Sequence, residues 1–332
     1  MPLPLLFIGI AAVTGIYGAG KTVQAVGTND TANKINTLAN DSVKKSKDKL
    51  ELQRKEVSDS LNTLGLEKIF VLNNSVKGFL NTFEKIKNVD FRNTEGLEEL
   101  KNLHITQEDF KELKQLEQFA AQVVGGTAMG VASGVLTGLA AWGGAATFAA
   151  ASTGTAISTL SGAAAYNATL AFFGGGALSA GGLGMAGGTV VLGGLIAGPA
   201  LAVMGLVVGA KSDEKLDKAL ANKAQADEIA ASLDTASVQC SVIRRRSNMF
   251  YNLLAHLDTY MLPLVWNMED IFNQEGNDYS KYKPESQKTV ARAAQTVMTI
   301  KSVLDTPILT QDGALTEESE KITKLIGDKI YQ

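Results

Sequence analysis

The stretch IAASLDTASVQCSVIRRRSNMFYNLLAHLDTYM, residues 229–261, decides the fold. Ile229, Leu233, Ala236, Cys240, Ile243, Phe250, Leu254, Leu257 and Met261 recur in it at three- and four-residue steps. That spacing gathers them on one face of an α-helix, where 3.6 residues complete a turn; a half-buried strand would need strict alternation. One long amphipathic helix is expected, kinked or ended at Pro263, because proline lacks the amide that the helix ladder uses.

The same period extends outward. A further helix fits residues 285–304, Asp312-Gly313 signals a turn, and a last amphipathic helix covers residues 316–330. Toward the N-terminus, Asp30 suits a helix start, and Val43, Leu50, Val57 and Leu64 recur every seven residues, one seam position of a coiled coil. The companion positions Ala39, Ser46 and Gln53 are small or polar. That helix is therefore expected to lie along others rather than form a self-sufficient two-stranded coil. Gly65 is a candidate interruption, after which Ile69, Phe70, Leu72, Val76, Phe79, Leu80 and Phe83 resume an apolar stripe. Residues 88–103 read as a connector, and Thr106 with Asp109 three residues on resembles a capping box opening the next helix.

Convincing alternation of period two is missing, so the expected class is all-α: a bundle of long antiparallel helices around a central Gly/Ala-rich apolar helical hairpin. Four segments follow from the charge pattern: an apolar stretch 1–27, a helical arm 28–117, an uncharged hairpin 118–210, and a second arm 211–332 that forms one bundle with the first.

The charge pattern is the chain's most unusual property. None of its 65 Asp, Glu, Lys and Arg residues (31 basic and 34 acidic) falls within residues 118–210 or residues 1–20. Residues 118–210 are long enough for up to four bilayer crossings at roughly 20 apolar residues each. Gly126, Gly130, Gly134 and Gly138 stand four apart, a smooth helical face suited to close packing against a second backbone, in lipid or inside a bundle. Residues 187–209, GGTVVLGGLIAGPALAVMGLVVG, are the strongest candidate crossing. Their ten Val, Leu and Ile residues contribute about −3 to −6 kcal/mol to insertion, which Gly194, Gly198, Pro199, Gly205 and Gly209 diminish. Such marginal hydrophobicity suits a segment that stays in a protein environment first and enters lipid later. These nine positions, the four glycines and these five, are the candidate membrane-insertion and helix-packing residues.

Residues 1–21, MPLPLLFIGIAAVTGIYGAGK, hold no basic side chain before Lys21 and so make a poor secretory signal. A cleaved signal, a membrane-bound or re-entrant segment and a buried helix all stay open for them. A net charge of −3 and a pI near 5.6 lack the basic excess that nucleic-acid binding requires. With one cysteine, Cys240, on the apolar stripe, no intramolecular disulfide forms and a core role is expected.

Gly15 to Thr22 matches the phosphate-loop pattern GxxxxGK[ST], but no alternating strand–helix series follows to build the sheet that this loop needs. Nucleotide binding is not expected. Arg244, Arg245 and Arg246 point about 100° apart on a helix, so ion pairing with acidic groups such as Asp234 or Asp258 is expected rather than a one-sided patch. His104 and His256 have no partner at metal spacing, and no nucleophile motif surrounds a serine. No catalytic residue, metal ligand, cofactor or small-molecule substrate is expected.

Through residues 148–203, FAAASTGTAISTLSGAAAYNATLAFFGGGALSAGGLGMAGGTVVLGGLIAGPALAV, the chain resembles a group of functionally uncharacterised bacterial proteins sometimes labelled chemotaxis-like. In architecture, long helices flanking an apolar Gly/Ala hairpin are similar to α-helical pore-forming toxins and colicin pore domains, and the glycine-rich segment resembles that of apolipoprotein L. These resemblances imply a helical protein whose hairpin meets lipid. The expected function is insertion of that hairpin into a bilayer, with glycine faces packing neighbouring helices into an oligomer or a pore. The expected partners are the lipid bilayer and further copies of the chain, and the expected place is a membrane reached from the cytoplasmic side, with secretion left open. The alternative is a non-catalytic helical scaffold, soluble or anchored, that oligomerises without permeabilising membranes.

Overall fold

The computed structural model describes residues 28–91, 107–124, 136, 139–141, 143, 212–310 and 314–330. Helix accounts for 89 % of the described part and no strand forms in it, so the chain is all-α with long helices. In order, the elements are α1 (Thr28–Val71), a π-helical turn (Leu72–Val76), α2 (Lys77–Phe83), α3 (Gln107–Val124), α4 (Ser212–Glu275), a 3-10 turn (Tyr279–Lys281), α5 (Pro284–Asp305) and α6 (Glu317–Ile330). The chain divides into two compact units, Met1–Lys47 with Ala202–Leu233, and Asp48–Leu201 with Asp234–Gln332.

In the first unit the described residues are the opening turns of α1 and α4. Ala32 and Ala39 are buried on α1, and Ala219, Ala226, Ala230 and Leu233 on α4. Ala219, Ala226 and Leu233 are spaced by sevens, as are Ala32 and Ala39, so each helix turns one seam inward. Alanine removes much of the side-chain bulk that sets helix axes about 8–10 Å apart. Asn222 donates to Asn36 at 3.2 Å across this seam.

In the second unit the seams continue with larger residues. Leu50, Val57, Leu64 and Val71 on α1, and Cys240, Ser247, Leu254, Met261 and Met268 on α4, are all buried at seven-residue spacing. The cross-links between the helices fix their direction. Ser241 donates to Gln53, Arg244 pairs with Glu56, Ser247 donates to the carbonyl of Ser60, and Ser75 donates to Asp258. Position numbers rise together on both helices, so α1 and α4 run parallel.

The expectation of antiparallel long helices therefore does not hold for this pair. In α3, Lys114 pairs with Glu84 and Glu117 with Lys77, so that helix runs back along α2, while the register of α1 against α4 is set by the side chains that join them.

Neither Gly65 nor Pro263 ends its helix. α1 runs through Gly65, and the irregularity comes later, at the π-helical turn. α4 passes Pro263 and ends at Glu275. Pro263 is exposed, so water can serve the carbonyl that loses its ladder partner. Gly276, with φ of +82°, terminates α4 in the left-handed conformation that glycine adopts freely.

Beyond Gly276, Lys87 donates to the carbonyl of Asn277 and Tyr279 donates to that of Lys87, tying the end of α2 to the end of α4. Phe79, Phe83, Phe91, Phe110, Tyr279 and Tyr282 form the aromatic cluster at this end. Pro284 opens α5, a position where its missing amide costs nothing. Val290, Ala291, Ala294, Val297, Ile300 and Leu304 make α5 a core helix. Thr316 caps α6 by accepting from the amide of Ser319. Leu309 and Leu315 bridge in antiparallel fashion on either side of the expected Asp312-Gly313 turn, whose two residues lie outside the described part.

Candidate functional site

Between Leu61, Leu64, Val71 and Leu72, all fully buried, the apolar face of α1 carries a lysine. Lys68 has no exposed surface, which is rare for an ammonium-bearing side chain. Its Nζ donates to the carbonyl of Leu139 at 3.0 Å and to that of Leu304 at 3.1 Å. Leu304 lies in the last turn of α5, where carbonyls have no partner within their helix and a lysine donor fits both the geometry and the dipole. Leu139 lies in the uncharged segment. One side chain thus joins α1, α5 and the beginning of the charge-free block.

The backbone completes this joint. Ala141 O accepts from the amides of Ile308 and Leu309, at 2.7 and 3.0 Å, and Leu139 O also accepts from Gly143 N at 3.1 Å. Leu136, Leu139, Ala140 and Ala141 are all buried. Two glycines make the approach possible. A Cβ on Gly65 would lie 2.3 Å from the carbonyl oxygen of Leu136, and one on Gly143 would lie 2.5 Å from that of Asp305. Gly143 also has a φ of +72°, which disfavours any side chain.

The electrostatics follow from burial. Desolvation pulls Lys68 down from the usual lysine value to about 7, opposed by the nearby Asp305 carboxylate. Asp305 is engaged elsewhere: Lys301 contacts it at 2.8 Å and Glu112 of α3 at 2.8 Å. Burial would lower Lys301 as well, but hydrogen bonds and charge from Asp305 and Glu112 outweigh it and hold that ammonium above its ordinary range. The two lysines lie one face apart in chemistry: Lys301 is compensated by two carboxylates, and Lys68 is held by neutral carbonyls.

A second buried polar contact crosses α1 and α4. Asp258 is raised by desolvation, with the Ser75 hydrogen bond acting against it, and Glu67 is raised by desolvation and then by the charge of Asp258. Ser75 belongs to the π-helical turn, whose altered period turns it toward α4. Cys240 is buried in the seam and its thiol is pushed up by desolvation, the environment of a structural cysteine.

The arginine run divides as helical geometry requires. Arg244 pairs with Glu56 and Arg246 reaches Ser319 and Thr323 of α6. The acidic partners suggested by sequence are engaged otherwise, Asp234 with Lys49 and Asp258 with Ser75.

The candidate insertion residues Gly126, Gly130, Gly134, Gly138, Gly194, Gly198, Pro199, Gly205 and Gly209, and the loop-like Gly15 to Thr22, lie outside the described residues. Among the described residues no helix is long and apolar enough to cross a membrane, and no cluster of three or more His, Cys, Asp and Glu side chains is placed to hold a metal. Sequence reasoning missed Lys68. Its signal was a single lysine between Leu64 and Leu72, four residues from each, where an apolar residue would continue the stripe. The chain matches no protein-family model, no curated protein and no solved structure.

Proposed function

We propose that this chain is a membrane-active helical protein whose uncharged block enters a bilayer and oligomerises there, opening a pore. The observation that carries the reading is the parallel course of α1 and α4. In the first unit Asn36 meets Asn222, eight residues after Thr28 and ten after Ser212, so both helices start at one end of the pair. Each start is preceded in sequence by an apolar stretch, residues 1–20 and residues 118–210 being free of charge. A parallel pair delivers both stretches to the same side of a membrane, which an antiparallel pair would not.

Further support comes from the joint at Lys68. Among the described residues, Leu139 and Ala141 of the uncharged block are held to the charged bundle by Lys68 and by backbone hydrogen bonds from Ile308 and Leu309. Hydrogen bonds of this kind can be exchanged for others without unfolding the helices that offer them.

Vesicle flotation and dye release test the proposal. The intact protein should float with phosphatidylcholine–phosphatidylglycerol vesicles and release an entrapped dye. Gly130→Leu with Gly134→Leu should keep flotation and lose most of the release. Failure of the intact protein to float removes the reading.

A second reading, a scaffold that self-associates without permeabilising, draws on one specific feature. Val238, Val242, Met249 and Tyr260 are exposed along one outward face of α4, at spacings that keep them aligned over six turns. Self-association with flotation but no dye release would select this reading.

A further inference from the structure

We propose that the contact of Lys68 with the carbonyls of Leu139 and Leu304 is a proton-operated latch, holding the start of the uncharged block on the bundle while the amine is neutral and loosening when it takes up a proton. As a docking switch the latch stands on its own geometry; as the trigger for insertion it rests on the membrane reading above.

The number of hydrogen-bond partners suits the neutral form. A neutral amine has two N–H donors, and two carbonyls accept from Nζ. Protonation adds a third donor and a full charge to a position with no exposed surface. The surroundings compensate in part: the last-turn carbonyl of α5 and the Asp305 carboxylate favour the charge, and burial outweighs them. On α5 the nearby charges are Asp305 and Lys301, already paired with each other, and on α3 Glu112 is paired with Lys301. Residues 136–143 (LTGLAAWG) and 306–310 (TPILT) contain no ionisable group. On α1 the adjacent Glu67 couples to Asp258 of α4.

The direction of the effect follows from proton linkage. Undocked, Lys68 meets water and holds its proton up to the ordinary lysine range near 10.5; docked, it releases it near 7. Between those values the undocked form binds more protons, so docking weakens as pH falls and then levels off below about 7. The loss approaches tenfold per pH unit within the window and flattens toward its acid end.

Amide hydrogen exchange reads this equilibrium directly. The amides of Gly143, Ile308 and Leu309 donate within the joint, so they exchange when it opens. After correction for intrinsic rates, their opening constant should rise on the order of tenfold between pH 8.5 and pH 7. Lys68→Met should abolish the slope, because the side chain no longer titrates. Lys68→Arg, which stays charged, should show the acid-limit opening at every pH. A flat profile in the unmodified protein overturns the latch, and so does an undiminished slope in Lys68→Met. Should either variant fail to fold, the profile of the unmodified chain decides alone. Vesicle flotation at pH 7 and pH 8.5 then separates the two claims. Greater flotation at pH 7 supports latch and trigger together. A sloped exchange profile with no flotation at either pH keeps the latch and removes the membrane reading.

Discussion

Single residues decide where the uncharged block meets the rest of the molecule, and glycine does so by what it lacks. In an ordinary exposed helix, Gly→Ala stabilises by up to about 1 kcal/mol, since alanine loses less backbone freedom on folding. At Gly65 the sign should reverse. The added methyl would sit 2.3 Å from the backbone oxygen of Leu136, an atom that cannot rotate away. Gly65→Ala should therefore destabilise by about 1–3 kcal/mol, the range of overpacked cores, as measured by urea unfolding. It should also raise exchange at Gly143, Ile308 and Leu309 without introducing a pH slope of its own. Stabilisation by this substitution would mean that Leu136 does not pack here. Glycine at position 65 was visible in the sequence as a helix weakness; that it admits another backbone depends on a contact 71 positions away, which periodicity does not encode. Lys68 escaped for a related reason. Charged residues are ordinarily placed on solvated faces, and only the carbonyls of Leu139 and Leu304, both distant in sequence, give this one a buried partner.

At the scale of elements, hydrophobic spacing was a good guide. The three- and four-residue steps of residues 229–261 correspond to the buried face of α4, where Leu233, Cys240, Ile243, Phe250, Leu254, Leu257 and Met261 are all at most 8 % exposed. α5 and α6 begin and end within one residue of the expected bounds. Residue type overstates burial at the margins of a stripe: Ile229 and Ala236 on α4 and Val43 on α1 are half-buried, and Phe70, apolar by type, is 55 % exposed. The companion positions Ala39 and Ser46 are buried, their small size serving close approach rather than weakening the seam. The two faces of α4 can be separated by experiment. Phe250→Ala removes a ring with no exposed surface and should cost about 3–5 kcal/mol in urea unfolding. Tyr260→Ala, ten positions on along the same helix at 57 % exposure, should stay within about 0.5 kcal/mol. Equal costs at the two positions would contradict the orientation of α4.

For the whole molecule, the direction in which helices pass one another was not legible. Consecutive helices tend to pack antiparallel, and α2 and α3 do so across the long connector between Phe83 and Gln107. That tendency does not reach α1 and α4, which are separated by α3 and the entire uncharged block, so their relation rests on side-chain complementarity such as Asn36 with Asn222 and Gln53 with Ser241. The parallel course is also what connects fold to proposed function, and it can be tested in one protein. With Cys240 replaced by serine, Asn36→Cys and Asn222→Cys should be joined within one chain by a short bis-maleimide, since their side chains are in hydrogen-bond contact. Asn36→Cys with Ser232→Cys is the control: a parallel register carries position 232 nearly three turns onward, about 15 Å along the helix, and should give no product. The joined protein should still float with vesicles and release dye, because the two apolar stretches approach the bilayer from the same end of an intact pair. Loss of flotation on joining, restored when a cleavable linker is cut, would show that α1 and α4 must part before lipid is met, and delivery of both apolar stretches by an intact parallel pair would have to be abandoned.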